Sequence, residues 1–168
     1  MSTVELTILV ATMTGTAELL AEDLAEENED LCSAQVRLLE DIEVADLEDL
    51  SQVLLVSSTY GTGEVPEPSK ELFNNLDEQR PNLNGLLYGV ISLGDRTYPK
   101  TFARGGQLWD ELLLKCNACR VGDVLCLDAS SGEDPLDASS HWFKKWLVAL
   151  EERLSSGRLD KTLRRASS

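Results

Sequence analysis

Residues Thr12-Met13-Thr14-Gly15-Thr16-Ala17-Glu18 set hydroxyls around one glycine, with no cation, where an apolar run meets an amphipathic one. A helix starting here offers unpaired N–H groups and the positive end of its dipole, which together suit a phosphate. Gly15 lets the backbone close on an anion, and Thr12, Thr14 and Thr16 can donate O–H groups to its oxygens. A nucleoside-triphosphate loop needs G-x-x-x-x-G-K-[S/T], and dinucleotides use G-x-G-x-x-G; neither stands here. A monophosphate held by amides and hydroxyls fits what is left. A Thr-capped helix end with no ligand fits the same residues.

Two further stretches pair glycine with tyrosine: Ser58-Thr59-Tyr60-Gly61-Thr62-Gly63-Glu64-Val65-Pro66-Glu67-Pro68, and Gly94-Asp95-Arg96-Thr97-Tyr98-Pro99-Lys100. Two phenol rings facing one another would sandwich a flat aromatic group, each stack adding about 0.5–1.5 kcal/mol beyond area burial. Ordinary half-buried packing is the alternative for each tyrosine. No His or Cys stands in the three loops to act as acid, base or nucleophile, so a cofactor would carry the chemistry. Cys116-Asn117-Ala118-Cys119 is a lone C-x-x-C that closes a helix instead of opening one, lacks a second metal pair, and suits a reducing cytoplasm.

The elements that must carry these loops follow from periodicity. Residues 4–11 read as a buried strand. A helix follows from Thr16, with Ala17, Leu20, Leu24 and Leu31 as its apolar stripe. Ala34–Leu39 is a second, outer strand, and Gln52–Ser57 a third. A helix capped by Ser69 runs to Gln79, Leu86–Leu93 is the fourth strand, 101–115 a helix, Arg120–Asp128 the fifth strand, and Leu136–Leu154 the last helix. Such alternation gives an α/β, three-layer, doubly wound five-stranded parallel sheet. The three loops then follow the first, third and fourth strands, on the one edge where ligands bind in this architecture. The domain is expected to span 1–154, with 155–168 a polar, mildly basic, frayed tail.

At 168 residues the chain suffices for one domain, and its net charge of −15 is unevenly placed. Residues 1–50 hold fourteen Asp/Glu against the single basic Arg37. Such a surface repels nucleic acid and anionic membranes and favours basic protein partners. Neither a secretory segment nor a membrane-length apolar run is visible.

Taken together, Thr12–Glu18, Ser58–Gly63 with Tyr60, and Leu93-Gly94-Asp95 followed by Tyr98 resemble a flavodoxin over most of residues 4–150. The 58–64 loop is also similar to the FMN domains of diflavin reductases, and the compact length and the Thr97–Phe102 region resemble the short-chain, MioC-type flavodoxins. The link Ala129–Pro135 leaves no room for the long-chain insertion. The resemblance implies the flavodoxin-like strand order 2-1-3-4-5, bound FMN and one-electron transfer. It implies that Thr12, Met13, Thr14, Gly15, Thr16 and Ala17 cradle the phosphate. Ser58, Thr59, Tyr60, Gly61 and Gly63 would line one side of the ring, and Leu93, Gly94, Asp95 and Tyr98 the other, with Phe102 in the same region. The Gly61-Thr62 peptide matches the one that turns to meet the reduced ring. Met13 stands where the family usually has a polar residue. Arg96, Lys100 and Arg104 make the flavin-side loop basic, which is expected to favour the reduced, anionic ring and make its potential less negative.

The function expected is therefore a cytoplasmic, monomeric electron carrier without a substrate of its own. An NAD(P)H-dependent flavodoxin/ferredoxin reductase would load it, and electron-accepting redox enzymes would draw from it. The alternative is an FMN-dependent NAD(P)H:quinone reductase. A receiver-type signalling module would need paired acids after the first strand and an Asp at the end of the third, where this chain has Thr12-Met13 and Ser57-Ser58.

Overall fold

The computed structural model describes residues 3–166. In chain order the elements are β1 (Val4–Ala11), α1 (Thr16–Glu27), β2 (Cys32–Leu38), α2 (Val44–Glu48), β3 (Gln52–Ser57), α3 (Lys70–Gln79), β4 (Leu87–Gly94), α4 (Arg104–Lys115), β5 (Cys119–Arg120), β6 (Leu125–Asp128) and α5 (Pro135–Ala166). Every strand pair is parallel, and the sheet runs β2-β1-β3-β4 with β5 and β6 both paired to β4. This is the doubly wound order 2-1-3-4-5.

The central strands are apolar on both faces because helices cover both. Leu9, Val53, Leu55, Tyr88 and Val90 pack toward α2, α3 and α4, where Trp109 is fully buried and meets Phe73 edge-on at 4.9 Å. Ile8, Val10, Leu54, Val56 and Ile91 pack toward α1 and α5, against Leu24, Phe143, Trp146 and Leu150.

Several boundaries differ from the sequence expectation, each for a local reason. The expected fifth strand is broken in two. Trp146 of α5 stacks its indole where a Cβ on Gly89 would lie 2.4 Å away, and its Nε1–H donates to the Val121 carbonyl at 3.0 Å. The Val121 N–H still donates to the Tyr88 carbonyl at 2.7 Å, but the Trp146 bond and the left-handed Gly122 (φ 72°) take 122–124 out of the ladder before β6 rejoins it. In α1 the stripe is Ala17, Leu20, Ala21 and Leu24; Leu31 lies beyond the helix and is 41% exposed. The helix stops at Asn28, whose buried side chain donates to the Leu24 carbonyl at 2.9 Å. Ser69 precedes α3 but does not cap it: its hydroxyl is buried and donates to the Pro66 carbonyl at 2.8 Å. The acidic stretch after β2 folds into a short 3₁₀ turn and α2. Helix α4 starts at Arg104, not at residue 101, after the left-handed Ala103. Helix α5 does not end at Leu154 but continues to Ala166. Residues 1–2, Ser167, Ser168 and the side chains of residues 158–162 and 164, among them Arg158, Lys161 and Arg164 of the basic tail, lie outside the described residues.

Candidate functional site

Four of the loops that leave the carboxyl edge of the sheet bear on the site. The first, 12–15, is a tight turn closed by the Gly15 N–H donating to Thr12 Oγ1 at 3.0 Å. Gly15 takes φ 88°, a left-handed value that glycine adopts without strain, and starts α1 with no side chain capping the first turn. A Cβ there would meet nothing within 4 Å. No side chain takes the first-turn N–H groups, and the Thr14 and Thr16 hydroxyls lie 3.3 Å apart at this end of the helix. Met13 is 42% exposed, while Ala17 is fully buried in the core, so only its backbone is placed to serve a ligand.

The second loop folds back on itself. Tyr60 and Glu64 exchange backbone bonds (2.9 and 2.8 Å), which puts Gly61-Thr62-Gly63 at the tip. Both glycines have left-handed φ, 54° and 95°. Glu64 anchors the base through Lys70 at 2.7 Å, an ion pair and hydrogen bond that hold its carboxyl below the usual range.

The third loop, 95–103, is a chain of turns: Tyr98 N–H to Asp95 O, Thr101 N–H to Tyr98 O, Arg104 N–H to Thr101 O. The Asp95 carboxylate accepts from Thr97 N–H at 2.8 Å. Its cations are mostly engaged. Arg104 makes a two-pronged contact with Glu111 (2.8 and 3.2 Å), and Arg96 stacks over Phe102 at 4.8 Å. Lys100 alone of the three has no partner among the described residues.

Ser58, Thr59, Gly61, Leu93, Gly94, Asp95 and Tyr98 come together with Thr14 and Thr16 around a cleft of about 410 Å³. Thr101 and Ala129 complete its wall; neither stands out in the sequence. Tyr60 and Tyr98 are 44% and 66% exposed, which leaves ring surface open at the mouth. Thr12, Met13, Gly15, Ala17, Tyr60, Thr62, Gly63 and Phe102 do not line the cleft itself. Phe102 sits beneath Arg96 and against Gly94, as a support.

The fourth loop, after β6, carries no motif that marks it in the sequence. Asp128 accepts from the Arg96 N–H (3.0 Å) and from the Ser130 N–H and hydroxyl (3.0 and 2.7 Å), which lowers its pKa. Its one sequence signal is an Asp at the end of a strand. A second hollow of about 810 Å³ adjoins the cleft, sharing Thr16, Leu93, Gly94 and Ala129 and reaching the sole histidine, His141, and Trp142 on α5. Among the described residues no group of His, Cys, Asp and Glu could hold a metal ion, and all four cysteines are free. No helix is long and apolar enough to cross a membrane, again among the described residues.

The donor set fits a phosphorylated flat ring: uncapped helix N–H groups and threonine hydroxyls at one end, glycine backbone and two open tyrosines at the other. Flavodoxin YqcA of Escherichia coli (strain K12) is 37% identical over 147 residues, covering 84% of this chain and 95% of that protein. The sulfite reductase [NADPH] flavoprotein alpha-component of Vibrio parahaemolyticus is 34% identical over 155 residues, 91% of this chain but 24% of that protein. Among solved structures, a cysteine-to-alanine mutant of flavodoxin from Pseudomonas aeruginosa superposes with a TM-score of 0.77 at 31% identity, covering 88% of this chain and 99% of that one. The family model described as Flavodoxin matches residues 8–143, and with the parallel 2-1-3-4-5 sheet and the loops at its carboxyl edge this makes the chain a member of the flavodoxin family.

Proposed function

We propose that the chain binds FMN in the 410 Å³ cleft and works as a one-electron carrier. The observation that carries the reading is the convergence of an uncapped helix N-terminus and the exposed Tyr98 on one glycine-lined cleft, with the exposed Tyr60 next to its Thr59 and Gly61 in the chain. Bound FMN supplies single-electron chemistry through its ring; the protein's residues bind and orient.

The phosphate end takes the Thr16, Ala17 and Glu18 N–H groups and the Thr14 and Thr16 hydroxyls. Helix dipole and N–H groups balance its charge, since no Lys or Arg lines the cleft. Tyr98, and Tyr60 from beside the cleft, would hold the ring faces, and the backbone of Gly61 and Gly94 would meet its edge. The Gly61-Thr62 peptide lies at the loop tip, where glycine would let it turn toward the ring edge. The cleft wall holds no His or Cys, and its one carboxylate, Asp95, accepts the Thr97 N–H. With no His or Cys presented to a second substrate, transfer between proteins across the exposed ring edge is the chemistry the site supports best.

An NAD(P)H-dependent flavodoxin/ferredoxin reductase is the proposed donor, and redox enzymes that accept single electrons are the proposed acceptors. Both would be drawn by the acidic surface, to a monomer working in the cytoplasm. Family membership favours this carrier over the NAD(P)H:quinone reductase alternative.

The test is an absorbance titration of the apoprotein with FMN, followed by stepwise reduction. Saturable, tight binding with reduction in two separate one-electron steps is expected. Absence of binding at micromolar FMN rejects the site, and reduction in a single two-electron step rejects the carrier.

A further inference from the structure

The sequence places Thr59 among the residues touching the ring, but its hydroxyl is committed elsewhere. Thr59 Oγ1 donates to the Leu93 carbonyl at 2.8 Å and accepts the Gly105 N–H at 3.0 Å. The β3–β4 ladder ends at Ser57↔Ser92, so the side chain continues by one bond the pairing that the backbone has stopped. The contact is tight on all sides. A Cβ on Gly105 would lie 2.2 Å from the Ser58 carbonyl oxygen and 3.0 Å from the Thr59 Cα, so the first turn of α4 rests directly on the 58–59 backbone.

Three pieces meet at this hydroxyl: the loop that carries Tyr60, the strand end that leads into the loop carrying Tyr98, and the N-terminus of α4. Its one proton is spent on Leu93, and Gly105 takes one of its acceptor sites. We infer that Thr59 is a positioning residue: its hydroxyl latches the two tyrosine-bearing loops together and sets the spacing between the walls that hold the flavin. The inference rests on the FMN reading proposed above.

The test compares Thr59→Val, which keeps the shape and removes the hydroxyl, with Thr59→Ser, which keeps the hydroxyl. In the apoprotein, amide exchange at Gly105 should quicken in T59V and stay at the wild-type rate in T59S. With ligand, T59V should bind both FMN and riboflavin about tenfold more weakly, because the loss concerns the ring walls and not the phosphate turn. The reduction potential of FMN bound to T59V should also move, and T59S should restore it. Wild-type exchange at Gly105 in T59V, or an unmoved potential with FMN still bound, overturns the inference. So does a tenfold loss in T59S, which would assign the effect to the methyl group. If T59V does not fold, T59S decides alone: wild-type binding and exchange support the latch, and loss of either overturns it. Failure of the wild-type protein to bind FMN is a separate result, which removes the functional reading but leaves the Gly105 exchange comparison standing.

Discussion

Arg96 and Asp128 join two loops that leave different strands: the Arg96 amide donates to the Asp128 carboxylate at 3.0 Å, while the Arg96 guanidinium sits over the Phe102 ring with its Nε 3.9 Å from Asp128 Oδ2. The backbone that leads to Tyr98 is thereby tied to the end of β6. The tie depends on charge. Backbone and hydroxyl donors hold the Asp128 carboxyl below its ordinary 3.8.

A carboxyl whose pKa is lowered on folding contributes stability above its unfolded pKa and loses it as pH falls through the folded value. The stability difference between wild type and Asp128→Asn should be constant from pH 7 to about 4.5 and shrink as pH falls below about 4. Urea midpoints across pH 2.5–7 check this; a difference that stays constant to pH 2.5 removes the charge from the account.

Far from the cleft, Tyr88 is buried and donates to Asp110 Oδ1 at 2.6 Å, while Asp110 Oδ2 takes Arg120 Nη1 at 2.5 Å. Tyr88→Phe leaves a buried carboxylate short of a donor and should cost about 1–3 kcal/mol in urea unfolding, with FMN affinity unchanged. Burial, then the Asp110 bond, raises the phenol pKa well above 10. Its stabilisation is thus complete below pH 10 and lost above it, so the gap between wild type and Y88F should narrow in strongly alkaline buffer.

Two glycine-to-alanine changes should have opposite signs. Gly105→Ala drives a Cβ into the Ser58 carbonyl and should cost about 1–3 kcal/mol, because neither the strand end nor the helix can yield freely. Gly85→Ala meets nothing within 4 Å at an ordinary φ and should stabilise by about 0.4–1 kcal/mol through the unfolded chain. Thermal melts of the two proteins read the contrast directly.

With Arg104 paired to Glu111 and Arg96 beside the Asp128 carboxylate at 3.9 Å, the one cation of the three without an acidic partner is Lys100. Lys100→Glu should make the potential of bound FMN more negative, and by less at high salt, since the lysine is exposed. A redox titration at low and high ionic strength checks both parts; an unmoved potential leaves the loop's cations without a tuning role.

The layers of this fold were legible because β1, β3 and β4 are continuous apolar runs that need helices on both faces. The break in the fifth strand was not, because its cause is Trp146, distant in sequence, acting on Val121 and Gly89. The same split holds at the site. Glycine, threonine and tyrosine announce three loops by their chemistry. Ala129 lines the cleft by position alone, and Asp128 looks like any other acid in a chain of thirty. Ala17 was legible as part of the turn but not as a core residue whose side chain faces away from it. Thr59 marked the right loop, while the partners of its hydroxyl, Leu93 and Gly105, appear only when the strands are side by side.

The cleft wall without a lysine or arginine has a kinetic consequence. A protein of charge −15 and a phosphate dianion approach each other as like charges, and the cleft wall itself offers no cation to draw the ligand in. Salt screens that repulsion over distances beyond about 8–10 Å, whereas the short-range bonds to helix N–H groups feel it little. Added salt should therefore speed the arrival of FMN while leaving its departure nearly unchanged, the reverse of the behaviour of a phosphate site built on cations.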